Sequence, residues 1–201
     1  EGRAYSVTGG VRIASQLHSE PSHQLKAVVE LPQKQAMARL ASRLLHADMT
    51  VYLDAGTSTL EIVPYVKALT GMTVVTNDFG VVQALLDAPQ VTVIHTGGQL
   101  DHSNHSCVGN LAVATLRQIV TDVAFISTSS WDLRRGITTP SALKVEVKQV
   151  AMHSASQVVL IASSSKYGTF SMYKIAGLEQ FDIIISDDAL AAAAADGIRK
   201  Q

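Results

Sequence analysis

One polar loop, residues 54–59, combines the residue types that bind an anion. Asp54 opens it, and Gly56 lets the backbone approach a ligand closely. The hydroxyls of Thr57, Ser58 and Thr59 can donate hydrogen bonds. If a helix begins here, its first N–H groups and its dipole also favour a negative charge, so the pattern predicts a phosphate or carboxylate ligand. The same residues also suit an ordinary helix cap, and that alternative stays open.

Two further polar turns follow the next two strand-like runs of the sequence. Thr76 and Asn77 come after the first run, and Gly97 and Gly98 come after the second. In open α/β sheets the ligand binds beyond the carboxyl ends of the strands, so the three loops are expected to meet at one edge. Taken singly, Asn77 suits a helix cap and the two glycines suit a turn.

Charged residues in the second half of the chain could meet an anion at that edge. Lys148 lies in a helical pattern, and Lys166 follows an apolar run in a serine-rich loop. Most lysines are solvated surface charges, which is the alternative for both. Glu146 is the carboxylate best placed to move a proton between adjacent carbons, as an aldose–ketose isomerase requires. A phosphosugar isomerase is therefore the alternative to a ligand-binding domain without catalysis.

Other site chemistries have less support in the sequence. Asp101, His102, His105 and Cys107 could ligate a metal, but their spacing matches no regular motif, so we expect neither a metal nor a cofactor. The absence of Gly-x-Ser-x-Gly and His-Glu-x-x-His patterns argues against serine hydrolases and zinc proteases. A single cysteine excludes an internal disulfide and fits a reducing compartment, so we expect a cytoplasmic protein.

The composition limits the classes of partner. The 201 residues are 47% hydrophobic and 16% charged, which suffices for one α/β domain with a substantial core. The net charge of −1 supplies no field that would attract DNA or an anionic membrane. The longest apolar run, residues 189–195, is far shorter than the roughly 20 residues that span a bilayer. We therefore expect these residues to bind neither DNA nor a membrane.

Strand and helix patterns alternate along most of the chain. Apolar, often β-branched runs predict strands over residues 49–53, 72–76, 91–95, 123–128, 158–162 and 183–186. Helical spacing predicts helices near residues 33–45, 60–69, 79–86, 111–120 and 141–154. In the first helix, Met37 and Leu40 are expected on the apolar face and Lys34 on the other. Residues 99–108 are expected to form a loop, and Trp131 to anchor another. The alternation predicts an α/β fold with a mostly parallel, doubly wound sheet.

Residues 1–33 differ from the rest of the sequence. They show little periodicity and contain Pro21 and Pro32 among serines and histidines, which is typical of a linker. We interpret them as an arm and residues 34–201 as the folded domain. Because the sequence begins at Glu1 and not at a methionine, and its first residues look like the end of a preceding segment, the numbering is expected to begin inside a longer protein.

Together these segments resemble the C-terminal effector-binding domain of the DeoR-type, sugar-responsive bacterial transcriptional regulators. The resemblance covers nearly the whole chain. The segments that carry it are residues 52–59, 75–77, 95–98, 122–126, 136–139, 146–148, 165–168 and 182–187. Residues 7–11, Val-Thr-Gly-Gly-Val, look like the end of the family's winged helix-turn-helix, which places the rest of the DNA-reading part outside this chain.

The resemblance implies a sheet domain similar to pentose-phosphate isomerases that binds a phosphorylated sugar or a related metabolite. It assigns the effector phosphate to residues 54–59, the sugar to Asn77, Gly97 and Gly98, and charged or hydroxyl groups to Lys148 and Lys166. Two positions depart from the family pattern. Lys144 stands where an acidic residue is usual, and Ser163 where aspartate is usual. Lys144 either suits an acid sugar or points to solvent.

The sequence thus predicts the sensor domain of a transcriptional regulator of carbohydrate metabolism, expected to be a repressor. Its expected partners are a sugar phosphate or sugar acid effector, further copies of itself, and operator DNA through the winged helix-turn-helix alone. The full set of expected effector-binding residues is Asp54, Gly56, Thr57, Ser58, Thr59, Thr76, Asn77, Gly97, Gly98, Lys144, Glu146, Lys148 and Lys166.

Overall fold

The computed structural model of the chain describes residues 4–7, 10–13 and 15–200. Of the segment that resembles the end of a wing, Thr8 and Gly9 lie outside the described residues, as does Gln201 at the end of the expected domain. None of the described helices is long and apolar enough to cross a bilayer.

Helices and strands alternate through the described residues. The α-helices are α1 (His23–Val28), α2 (Leu31–Ala41), α3 (Thr57–Leu60), α4 (Val63–Lys67), α5 (Phe79–Leu85), α6 (Asn110–Leu116), α7 (Ala142–His153) and α8 (Ala192–Arg199). The strands are β1 (Ala4–Val7), β2 (Gly10–Ile13), β3 (Ser15–Gln16), β4 (Thr50–Leu53), β5 (Thr73–Thr76), β6 (Thr92–His95), β7 (Gln99–Asp101), β8 (Ser106–Val108), β9 (Thr121–Ser127), β10 (Ser130–Asp132), β11 (Gly136–Thr139), β12 (Ala155–Ile161), β13 (Thr169–Phe170), β14 (Tyr173–Ala176) and β15 (Ile183–Ile185).

The centre of the fold is a parallel sheet. Its six strands among the described residues lie in the order β15, β12, β9, β4, β5, β6, and every neighbouring pair is parallel. The chain enters this sheet in the middle, at β4. It then forms β5 and β6 on one side of β4, and afterwards β9, β12 and β15 on the other. Neighbours β4 and β9 therefore lead into connections of opposite direction, and the order of the sheet reverses between them.

Side chains of the sheet alternate between two hydrophobic cores, one on each face. On β4, Tyr52 packs into the core that contains α6 and α7, whereas Val51 and Leu53 pack into the core that contains α2, α4 and α5. All three side chains are fully buried. Because both faces of a parallel sheet are covered by helices, the central stretches of its strands, such as residues 123–126 and 158–161, are continuous apolar runs, as the sequence pattern indicated.

The expected helix over residues 60–69 is two shorter helices. Helix α3 ends at Leu60 and α4 begins at Val63, with Pro64 in its first turn. Proline has no N–H to continue a preceding helix, so the chain restarts there.

The predicted apolar face of α2 is right for Met37 but wrong for Lys34 and Leu40. Lys34 is buried with Met37, Ala38 and Ala41, whereas Leu40 is 44% exposed. The buried ammonium of Lys34 donates a hydrogen bond to the carbonyl oxygen of Lys26, which compensates part of its lost hydration.

Residues expected to form loops build additional antiparallel sheets. Strands β7 and β8 form a hairpin where residues 99–108 were expected to be a loop. Strands β10, β11 and β14 form a second sheet, in which Trp131 is fully buried and donates through Nε1 to the carbonyl of Ser163. Trp131 was expected to anchor a loop; it does anchor this segment, but as a strand residue and fully buried.

The arm is ordered by contacts at the carboxyl end of the parallel sheet. After the hairpin β1–β2, strand β3 pairs with β13, and the N–H of Leu17 donates to the carbonyl of Phe170. Helix α1 then contacts the β7–β8 hairpin, where the rings of His23 and His105 stack with centroids 4.8 Å apart. The arm therefore crosses the edge of the sheet where the predicted site lies.

Candidate functional site

The candidate site lies where β4 and β9 end side by side. Ligands of open α/β sheets bind at this point, because connections that leave in opposite directions open a crevice there. The crevice contains a pocket whose walls come from both strand ends, from β11, from α7 and from the arm. Its lining residues are Glu20, Lys26, Ala55, Gly56, Thr57, Ser58, Asn104, Ser127, Thr128, Ser129, Thr138, Thr139, Lys144, Lys148, Lys166 and Ile175.

A buried ion pair fixes the start of the loop at residues 54–59. Asp54 is 1% exposed, and its Oδ2 accepts hydrogen bonds from Lys148 and from the backbone N–H and hydroxyl of Ser127, at 2.9 and 2.7 Å. Lys148 also donates to the carbonyl of Ser127 over 2.9 Å. The pair therefore ties the end of β4 to the end of β9 through α7.

Gly56 permits a close approach of these two strand ends. A Cβ at this position would lie 2.6 Å from Oγ of Ser127. The N–H of Gly56 donates to Oδ2 of Asp78 over 2.9 Å. Burial of the Asp78 carboxyl raises its pKa to about 6, against the lowering effect of its backbone hydrogen bonds to Gly80 and Gly56.

Asn77 and Thr59 hold the loop from beneath. The Oδ1 of Asn77 accepts from the N–H of Ala55 and from the hydroxyl of Tyr52, both at 3.0 Å, and its Nδ2 donates to the carbonyl of Cys107. Thr59 donates within the loop, to the carbonyls of Asp54 and Gly56. These polar groups are satisfied by protein partners, so they shape the site by positioning the loop.

Thr57 and Ser58 face the pocket at the start of α3. Gly56 is the N-cap and provides no side-chain hydrogen bond to the first turn. Ser58 is 2% exposed, and its hydroxyl has no hydrogen-bond partner among the described residues. A buried hydroxyl without a partner is unfavourable by roughly 1–3 kcal/mol, so a polar group of a ligand would be stabilising here.

Lysines dominate the charge of the pocket. Among the described lining residues are Lys26, Lys144, Lys148 and Lys166, against the single carboxylate of Glu20. Lys166 donates to the carbonyl of Thr128 over 2.8 Å. Burial, with help from the nearby charges of Lys26 and Lys34, lowers the pKa of Lys166 to about 8. Such an arrangement favours an anionic ligand.

Glu20 of the arm provides the compensating charge. Its carboxylate lies 3.0 Å from Nζ of Lys26 and 3.1 Å from Nζ of Lys144. Burial alone would raise the pKa of Glu20, but the charges of Lys144 and Lys26 outweigh it and hold the pKa at about 2. The carboxylate is therefore ionised at neutral pH.

Other predicted site residues lie outside the lining of the pocket. The hydroxyl of Thr76 donates to the carbonyl of Leu53, beneath the loop. Gly97 and Gly98 form the turn into the β7–β8 hairpin, and a Cβ on Gly98 would lie 2.8 Å from the carbonyl of Val108. Glu146 is half exposed and pairs with Arg117 at 2.9 Å on the surface of α7.

Several lining residues carried no clear signal in the sequence. Glu20, Lys26 and Asn104 belong to the segments read as linker and loop. Residues 127–129 lie at the end of β9 and residues 138–139 at the end of β11, and both segments are rich in hydroxyls. Hydroxyls near a strand end singled out residues 54–59, and the same pattern could have identified these segments too.

The carboxylates in and near the pocket are placed poorly for acid–base catalysis. Asp54 is paired with Lys148, Glu20 is paired with two lysines, and Glu146 lies on the surface. Within the described residues, no group of three or more His, Cys, Asp or Glu side chains could hold a metal ion. Fold and site together define a doubly wound α/β domain with a cationic pocket at the reversal of its sheet.

Comparison with known proteins identifies the family. The model of the DeoR C-terminal sensor domain matches residues 30–188. The chain is 42% identical over 201 residues to YgbI of Escherichia coli (strain K12), an uncharacterized HTH-type transcriptional regulator, covering 100% of this chain and 78% of that protein. It is 30% identical over 166 residues to the deoxyribose operon repressor of the same strain, covering 83% of this chain and 65% of that protein.

Among solved structures, the chain resembles a probable sor operon regulator from Shigella flexneri, with a TM-score of 0.52 at 14% identity over 85% of this chain and 90% of that chain. At that identity the likeness concerns the fold alone. The chain belongs to the DeoR family of transcriptional regulators, and residues 30–188 are its sensor domain. The predictions of the family, of the mostly parallel α/β fold and of a domain that is not an enzyme are confirmed.

Proposed function

We propose that this chain is the effector-sensing part of a repressor of carbohydrate-metabolism genes. In this proposal the effector is a phosphorylated sugar or sugar acid, bound in the pocket between β4, β9 and α7. The observation that carries the proposal is that four lysines line the same pocket as the buried hydroxyl of Ser58, which has no hydrogen-bond partner among the described residues. A phosphate accepts from hydroxyls, lysines and the N–H groups at a helix start at once, so it satisfies this lining better than a neutral sugar does.

The role as a repressor rests on the relatives. The name of the deoxyribose operon repressor states that function for that protein, and we extend it to this chain. We further propose that operator DNA is bound by a winged helix-turn-helix, that the regulator acts in the cytoplasm as a homo-oligomer, and that effector binding shifts the population of DNA-competent arrangements.

Titration calorimetry of the chain with four- to six-carbon sugar phosphates, sugar acids and their unphosphorylated counterparts tests the binding. Phosphorylated compounds should bind, and Ser58→Ala should weaken the tightest of them about tenfold or more, since a hydrogen bond to a charged group is lost. Ser156→Ala is the matched control, because Ser156 is exposed near the start of β12, at the opposite edge of the sheet. Equal affinities of wild type and Ser58→Ala would contradict the assignment of the phosphate.

A further inference from the structure

The carboxylate of Glu20 lies inside the pocket that we assign to the effector. It comes from the arm, 124 residues before Lys144 in the sequence. Nζ of Lys26, which binds one carboxylate oxygen of Glu20, is also 2.6 Å from Oδ1 of Asn104. Lys144, which binds the other oxygen, is 3.4 Å from Oδ2 of Asp101. Lys26 and Lys144 thus bind a carboxylate with one lysine on each of its oxygens, and Asn104 holds the ammonium of Lys26 in place.

Space in the pocket is too small for a sugar phosphate while Glu20 is there. The remaining cavity is about 30 Å³, room for one or two water molecules. A ligand that reaches Ser58 must therefore take the place of some protein group. Two of the lining residues, Glu20 and its partner Lys26, belong to the arm and not to the sheet or the helices that cover it.

The lysines that bind the carboxylate of Glu20 lie a short distance from the expected phosphate position. Lys144 and Lys148 are one helical turn apart on the same face of α7, which separates them by about 6 Å along the helix. Lys148 reaches Asp54 at the start of the phosphate loop, and Lys144 reaches Glu20. One small molecule with an anion at each end can span this separation.

We propose that Lys26, Lys144 and Asn104 form a carboxylate subsite, and that the effector is a phosphorylated sugar acid whose carboxylate replaces that of Glu20. The proposal rests on the proposed function, since it takes the phosphate at Ser58 as given. Exchange of one carboxylate for another leaves both lysines neutralised, so no buried charge is left without a partner.

Replacement of Glu20 also frees the part of the arm before α1, residues 17–20, while Lys26 stays in the subsite. Residues 17–20 are held besides by the hydrogen bond from the N–H of Leu17 to the carbonyl of Phe170, whereas α1 keeps the bond from the N–H of His23 to the carbonyl of Ser103 and the bonds from Lys34 and Thr57 to the carbonyl of Lys26. Leu25, Val28 and Val29 are more than half exposed, so the arm buries little apolar surface. Effector binding would therefore loosen the segment that joins this pocket to the β1–β2 hairpin.

Matched pairs of probes test the subsite. Each pair is an aldose phosphate and the aldonate phosphate of the same carbon skeleton, with four, five and six carbons, titrated into the whole chain. The tightest aldonate phosphate should bind at least about tenfold more tightly than its aldose partner. Lys144→Gln should abolish this preference, whereas the exposed Lys174→Gln should keep it.

Glu20→Gln supplies the opposite change. It removes the competing carboxylate and should tighten binding of the aldonate phosphate about tenfold, while Glu179→Gln, an exposed control, should not. Hydrogen exchange of the amide of Leu17 should accelerate when the aldonate phosphate is added, because its hydrogen bond to Phe170 lies in the freed part of the arm. Equal binding within every pair, or Glu20→Gln without effect, would overturn the subsite and leave the sugar phosphate sensor intact. Absence of binding by every phosphorylated probe, to wild type and Glu20→Gln alike, would overturn both proposals.

Discussion

Removal of Lys148 should destabilise the fold more than it changes the pocket. In Lys148→Met a side chain of similar length fills the same space without charge. Asp54, 1% exposed, then keeps its two hydrogen bonds from Ser127 but loses its counter-ion. Breaking a buried ion pair on one side costs about 3–5 kcal/mol of unfolding free energy, and the two remaining hydrogen bonds favour the lower half of that range.

Urea unfolding followed by the fluorescence of Trp131 measures this loss. The chain has one tryptophan, and it is fully buried, so its emission reports the loss of the core. With a slope of about 2 kcal/mol per molar urea, a loss of about 3–4 kcal/mol should lower the midpoint by about 1.5–2 M. The double variant Asp54→Asn/Lys148→Met should recover much of the stability, because it removes both charges.

The surface pair of Lys67 and Asp87 provides the control. Its partners are 31% and 77% exposed, so Lys67→Met should shift the midpoint far less. A midpoint of Lys148→Met within about 0.5 M of wild type, corresponding to about 1 kcal/mol, would refute the reasoning. A double variant no more stable than the single one would refute it as well.

Two further predictions concern the pH dependence and the second sheet. The pKa of Lys166 is about 8, so its charge is lost as the pH rises, and affinity for a phosphorylated ligand should fall between about pH 7 and 9. Calorimetry at several pH values measures this fall. The affinity of Lys166→Arg should depend less on pH, because arginine stays charged. The unfolded chain keeps this lysine's proton to higher pH, so unfolding free energy should rise over the interval from about 8 to 10.5. Gly136 has φ of +73°, and a Cβ there would lie 2.0 Å from the carbonyl of Ala176 on β14. In thermal unfolding, Gly136→Ala should lower the unfolding free energy by more than about 2 kcal/mol. Gly97→Ala, also at positive φ but in open space, should lower it by only about 1 kcal/mol. Equal losses in the two variants would show that the contact with β14 is unimportant.

The parallel sheet could be predicted because each of its strands contains a short run of β-branched or other apolar residues. Residues 72–76 and 158–162 contain little but β-branched and other apolar side chains, and burial on both faces demands that pattern. The β7–β8 hairpin could not be predicted in this way. Its strands are three residues each, and Gln99 and Asp101 carry no alternation that distinguishes them from a loop.

The position of the site followed from topology, but its composition did not. Loops after parallel strands meet at one edge whatever their sequence, so residues 54–59 were placed by the order of the elements. Glu20 and Lys144 are separated by 124 residues, and no local pattern links them. A lysine in an amphipathic helix is expected to face solvent, and nothing in the local sequence of Lys34 indicates otherwise. In the folded chain the carbonyl of Lys26 accepts its hydrogen bond, which allows its burial.

A crystal structure of the chain with the tightest-binding phosphorylated compound tests the central claim most directly. The account predicts a phosphate group about 3 Å from Oγ of Ser58 and from an N–H group of the first turn of α3. A phosphate bound elsewhere, for example in the cleft lined by Arg135 and Phe170, with the hydroxyl of Ser58 still without a partner, would contradict it.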